Sequence, residues 1–91
     1  MSAVDFLSAA GAIQEARAGE YDQPGGERSM AKTVAMFNVA TGADLSESDG
    51  WLFMVFLKIT RDQSRANCHL DACKDLVSYG SLYAEARSAG L

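Results

Sequence analysis

Residues 58–75, KITRDQSRANCHLDACKD, gather the one histidine, both cysteines and half of the basic residues of this sequence. Lys58, Arg61 and Arg65 come first, and Arg61 lies one helical turn after Lys58. Such a group could hold a phosphate, with arginine supplying a planar fork for two oxygens. Asp71 and Asp75 follow at a spacing that puts both carboxylates on one helix face. Carboxylates on neighbouring helices of a bundle can hold Mg²⁺, which takes oxygen ligands and keeps several waters. Each group also has a structural explanation. Basic residues suit the last turns of a helix and acids the first, so Asp71 fits a helix start. Lys58 can pair with Asp62, and if two antiparallel helices meet here, Lys58 or Arg61 can bridge to Asp71 or Asp75. The favoured reading of the stretch is therefore an ion-paired clamp across a helical hairpin.

Cys68, His69, Asp71 and Cys73 are metal-ligand types, but their spacing matches no paired C-x-x-C pattern and a closed zinc site needs four ligands. Zinc is not expected. Cys73 falls on an apolar face, where cysteine behaves as a small hydrophobe. Cys68 and His69 are adjacent, and neighbours on a helix diverge by about 100°, so they do not form a nucleophile–base pair. Two cysteines five apart on a helix start point in different directions, so a reduced state is expected rather than a disulfide. Upstream, PGGERS (24–29) is not a phosphate loop, because it lacks G-x-x-x-x-G-K and a preceding strand. The glycines precede a helix start whose free N–H groups could meet an anion, but Glu27 there opposes one.

The elements that must position these residues read as four helices. The first spans 2–18, with Val4, Leu7, Ala10, Ile13 and Ala16 as its apolar stripe, Phe6 beside it and Gly19 as terminator. Gly11 within it either weakens the helix or permits close packing. A turn, D-x-P-G-G (22–26), follows; proline fixes φ and the glycines accept positive φ. The second helix spans 27–40, with Met30, Val34 and Phe37 on its stripe, Thr33, Met36 and Ala40 beside it, and Gly42 as C-cap. Ser46 and Asp49 form a capping box behind a hydrophobic staple, Leu45. The third helix then runs over 46–65. Its first half, WLFMVFL, is apolar on every side, so it is either the central helix or one whose extra face meets another subunit. In that helix Trp51, Phe53 and Phe56 read as core, and any exposed part of them as interface. The fourth helix spans 67–88, with Leu70, Cys73, Leu76, Val77, Gly80, Tyr83 and Ala84 on its main face and Tyr79, Leu82 and Ala86 on a weaker side stripe. The expectation is an all-α, compact four-helix domain over residues 1–91, with short connections and antiparallel neighbours.

Composition narrows the functions. At 91 residues a single thin core is expected, and small domains gain from self-association. The net charge of −4 argues against non-specific nucleic-acid binding. Acids dominate 1–27 and 44–49, while bases dominate 28–43, through Arg28 and Lys32, and 58–65. Such blocks can orient a partner. No apolar run is long enough to cross a bilayer, and the N-terminal stretch lacks the basic start of a secretory signal.

Taken in series, R-x-x-x-Y-D-x-P (Arg17, Tyr21, Asp22, Pro24), GERSM (26–30), a tryptophan-led apolar helix ending K-x-x-R (Lys58, Arg61) and D-x-x-x-D-x-x-x-Y (Asp71, Asp75, Tyr79) resemble a family of small phage and prophage proteins of unknown function. That family is similar in turn to the all-α, MazG-like nucleotide pyrophosphohydrolases, oligomers that hold Mg²⁺ between acidic helices. Those enzymes carry E-x-x-E and E-x-x-D pairs; here Glu27 has no acid at Met30 or Ala31, Glu47 and Asp49 are two apart, and only Asp71 and Asp75 form a same-face pair. The resemblance implies a phage-encoded accessory protein in the cytoplasm of a bacterial host. As a homodimer without cofactor, it would bind a host or phage macromolecule, in one form a nucleic-acid-binding defence complex that it inhibits in an anti-CRISPR-like manner. Glu27, Arg28, Lys58, Arg61, Asp71 and Asp75 are the candidate binding residues. The alternative is a Mg²⁺-dependent pyrophosphohydrolase, or a nucleotide-binding derivative, with Asp71 and Asp75 on the metal and Lys58 and Arg61 on the phosphates. A third reading is a structural oligomer subunit.

Overall fold

The computed structural model describes residues 1–20 and 29–91, the side chain of Glu20 excepted. The turn expected over 22–26, Tyr21, and the candidate residues Glu27 and Arg28 lie outside the described residues. Four helices form an all-α domain: α1 (Ala3–Glu20), α2 (Met30–Thr41), α3 (Glu47–Gln63) and α4 (Leu70–Ser88). None is long and apolar enough to cross a membrane.

Capping chemistry sets the helix ends. Ser46 Oγ accepts from the Asp49 N–H at 3.1 Å while Asp49 Oδ2 accepts from the Ser46 N–H at 2.9 Å, which is the expected capping box. Ser2 and Asp5 make the same reciprocal pair before α1, at 3.1 and 2.9 Å. Gly42 ends α2 in the left-handed region (φ 74°), its N–H donating to the Asn38 carbonyl at 2.9 Å. The Asn38 side chain then brackets the following loop, accepting from the Leu45 N–H at 3.0 Å and donating to the Leu45 carbonyl at 2.9 Å. Gly19 lies within α1, which runs on to Glu20, and its φ is not positive. The last turns expected of the third helix and the first of the fourth are not helical. Residues 64–69 form the connection instead, with Ser64 as C-cap and His69 as N-cap.

Packing is serial. α3 lies against α4, α1 against α4 and α2 against α3, and no other helix pair meets among the described residues. The centre is thus the α3–α4 hairpin, not α3 alone. Trp51, Tyr79, Leu82 and Ala86 form its core, with Met30, Met54, Val55 and Tyr83 packed around them. This corrects the face assigned to the fourth helix. Its buried residues are Ala72, Ser78, Tyr79, Leu82 and Ala86, so the side stripe faces α3 and the expected main face is half-buried or exposed. The reason is Tyr79, whose ring stacks on Trp51 with centroids 5.9 Å apart; two aromatics bury more area than a run of Val and Leu can recover. α1 is rotated likewise. Ala10 is buried and Phe6 and Ile13 are half-buried, whereas Val4 and Leu7 are exposed. Gln14 sets that rotation, donating through Nε2 to Ser78 Oγ at 2.6 Å.

α2 sits close on α3 at Gly50. A methyl group there would meet Met30 Sδ, and Val34 Cγ1 at 2.9 Å. Gly11, by contrast, has no atom within 4 Å of where a Cβ would stand, so it serves no close approach.

Candidate functional site

Two clusters of polar side chains lie along the α3–α4 hairpin. The first is built on Tyr79. Lys58, on α3, places Nζ 3.0 Å from Asp75 Oδ2, on α4 one turn before Tyr79. The side chains are 11% and 24% exposed, so this pair is shielded far more than an ordinary surface ion pair. Lys58 Nζ also lies 6.0 Å from the Tyr79 ring centroid, and Arg17 Cζ of α1 lies 5.6 Å from it. Arg17 Nη1 donates to the Tyr79 hydroxyl at 3.3 Å. Three helices thus converge on one phenol ring that carries two cations, one carboxylate neighbour and a stacked indole. Cation–π contacts of this kind contribute about 0.5–1 kcal/mol each at partly exposed sites.

The Lys58–Asp75 bridge is one of the cross-hairpin pairs read from the sequence. Lys58–Asp62 is not the contact formed. Asp62 turns the other way, and Arg61 and Asp71 are exposed and stand outside the pair. Asp71 occupies the first turn of α4, as expected of a helix-start acid. The six candidate residues therefore separate: Lys58 and Asp75 together, Arg61 and Asp71 on the surface, Glu27 and Arg28 beyond the described residues.

The second cluster sits at the end of the hairpin. Asp62, in the last turn of α3, accepts at Oδ1 from the His69 backbone N–H at 2.8 Å and from Cys73 Sγ at 3.4 Å. Cys73 Sγ lies 3.6 Å from Cys68 Sγ. The expectation that the two cysteines diverge is overturned, because Cys68 is not on the helix. α4 begins at Leu70, and the extended His69 (ψ 92°) lets the chain before it fold back over the first turn. Hydrogen bonding to Cys68, burial, and the bond and negative charge of Asp62 push the Cys73 thiol from 9.0 up to about 11. The ligand atoms of Asp62, Cys68 and Cys73 all lie within 4.8 Å of one another, and this set includes neither His69 nor Asp71. His69 Nδ1 is buried without a hydrogen-bond partner. Of this cluster the sequence offers the cysteines and the histidine but not Asp62, since nothing in a helix-end Asp says which loop it will fasten.

Beside the thiols, α1 and α4 leave an open apolar groove of about 540 Å³ between Phe6, Leu7, Leu76 and Val77. Further apolar surface lies on α2 and α3. Met36 and Val39 of α2 are 74% and 88% exposed, and Phe53 and Phe56 of α3 are 70% and 57% exposed. The all-round apolar segment WLFMVFL is therefore not buried all round; it presents Phe53 and Phe56, three apart, to solvent. Comparison with family models, with curated proteins and with solved structures returned no match.

Proposed function

We propose that this chain acts by binding another macromolecule, as a homodimer, rather than by turning over a substrate. One observation carries the reading: bulky apolar side chains three apart, Met36 and Val39 on α2 and Phe53 and Phe56 on α3, stand mostly in solvent, while no large side chain is fully buried among the described residues. Bulky apolar side chains left in solvent on a small domain are what an interaction site presents. The resemblance to small phage and prophage proteins supplies the concrete form, an accessory protein in a bacterial cytoplasm that occupies a nucleic-acid-binding defence complex. A net charge of −4 suits a basic groove in such a partner. The pyrophosphohydrolase reading needs Asp71 and Asp75 free to converge on Mg²⁺. Asp75 is engaged by Lys58, and no third Asp, Glu, His or Cys joins the two among the described residues.

The test is capture from bacterial lysate by the immobilised chain, beside a charge-reversed variant, Asp44→Lys/Asp71→Lys. Both residues are exposed, so the helical spectrum should hold, and stability should fall only by the helix-start charge of Asp71, about 0.3–1 kcal/mol. The reading expects a nucleic-acid-binding complex on the wild type, displaced by its nucleic acid and absent from the variant. The same proteins on both, or Mg²⁺-dependent pyrophosphate release from nucleoside triphosphates that vanishes in Asp75→Asn, would replace it.

A further inference from the structure

We propose that Asp62, Cys68 and Cys73 form a binding site for a thiophilic divalent cation of the Zn²⁺ class, with two sulfurs, one carboxylate oxygen and a fourth position open to water. The geometry argues for it. With zinc–sulfur bonds of about 2.3 Å and zinc–oxygen bonds of about 2.1 Å, a tetrahedron has a sulfur–sulfur edge of about 3.8 Å and a sulfur–oxygen edge of about 3.6 Å. Cys68 and Cys73 hold their sulfurs 3.6 Å apart, and Cys73 Sγ lies 3.4 Å from Asp62 Oδ1. These two edges are tetrahedral to within a few tenths of an ångström, and the third, from Cys68 Sγ to the Asp62 carboxylate, lies within 4.8 Å, so the exposed Cys68 side chain closes it as the ion binds. A disulfide would instead require the sulfurs to close to about 2.05 Å. The carboxylate is already oriented, since Asp62 Oδ1 accepts from the His69 N–H at 2.8 Å, the kind of supporting bond that fixes a metal ligand. Cys68 is exposed and the site opens beside the α1–α4 groove, so an ion has a path in.

The donor set also fits by chemistry. Two thiolates and a carboxylate select a borderline-soft ion over Mg²⁺ or Ca²⁺, which take oxygen. On binding, the thiol protons of Cys68 and Cys73 pass to solvent, and Asp62 binds through its carboxylate. Zn²⁺ with three anionic ligands leaves a site of charge −1. The ion ties the end of α3 to Cys68, two residues before α4, and to the first turn of α4, closing the loop over 64–69.

The experiment titrates the reduced chain with Zn²⁺, and with Co²⁺ as a spectroscopic stand-in. The expected result is one ion per chain, two protons released per ion, and a tetrahedral Co²⁺ spectrum with sulfur charge-transfer bands. Because Cys68 is exposed, Cys68→Ser should keep its helical spectrum and lose about a hundredfold or more in affinity. Asp62→Asn should lose about tenfold, the scale set by changes around metal sites. Three results would overturn the proposal: no binding above a Cys68→Ser/Cys73→Ser control, an octahedral Co²⁺ spectrum unaltered by Asp62→Asn, or conversion of both thiols to a disulfide by oxidised glutathione with Zn²⁺ present in excess.

Discussion

Lys58 and Asp75 face each other across the hairpin with most of their surface covered, and that decides how a substitution acts. Removing one partner leaves the other charged in a half-dry place, which costs more than an exposed pair is worth. Asp75→Ala and Lys58→Ala should each lower stability by about 1–3 kcal/mol, and a double-mutant cycle should show about 1 kcal/mol of coupling. Coupling near zero by urea denaturation would make the two charges independent. Cys73 makes a second prediction, on pH. Its thiol is pushed up from 9.0 to about 11, first by the hydrogen bond with Cys68 and then by burial and Asp62. The folded state therefore favours the neutral thiol. That contribution is fully present below pH 9 and is lost as pH rises through about 11, so wild type should lose stability over this window relative to Cys73→Ser. Alkylation of Cys73 should lag behind that of a free thiol at pH 9. That a cation near the end of α3 meets an acid near the start of α4 was legible in the sequence, because both periodicities point across one hairpin; which of Lys58 and Arg61 meets which of Asp71 and Asp75 was not. The convergence of the thiols was not, because it depends on where α4 begins, and a shift of two residues decides whether Cys68 is helical.

Glycines separate the helices by how closely each is approached. At Gly50 an added methyl would press on Val34, a buried, β-branched side chain with little rotamer freedom, as well as on the pliable Met30. Alanine is favoured over glycine in a helix by up to about 1 kcal/mol, and this gain opposes the clash. Overpacking of a closed contact costs about 1–3 kcal/mol, so the clash wins. Gly50→Ala should lower the melting point and loosen α2 before the hairpin, seen as faster amide exchange over Met30–Thr41 than over Leu70–Ser88. Gly11 has open space around it, so Gly11→Ala should do the reverse and raise stability by about 0.5–1 kcal/mol. The helices themselves were readable from caps and period: Ser46 with Asp49, and Gly42, stand where their chemistry requires. Which face each helix buries was less readable. α4 carries apolar residues on two adjacent stripes, and the choice fell to Tyr79 because Trp51 on α3 lay opposite it, a long-range fact that no single-helix period contains.

At the scale of the molecule, each outer helix has one neighbour: α1 leans on α4 and α2 on α3. A helix with a single neighbour hides about one face, so Val39 of α2, 88% exposed, stays wet; α3, with α4 and α2 against it, still leaves Phe53 70% exposed. Burying a side chain of this kind is worth about 1.5–3 kcal/mol, so pairing several of them between two copies works against an association cost of about 4–15 kcal/mol. The monomer loses little by their removal, since an exposed substitution shifts stability by about 0.5 kcal/mol or less. The prediction follows from that asymmetry. If two copies associate through these faces, the melting point of wild type should climb with protein concentration, because association stabilises the folded state by mass action. The variant Phe53→Ser/Val39→Ser should melt at one temperature across the same range, near that of dilute wild type, and sediment as a monomer. A concentration-independent melting point in the wild type, with monomeric sedimentation, would assign these faces to a different protein, and the charge-reversed variant would then show whether the same partner also reads the acidic surface.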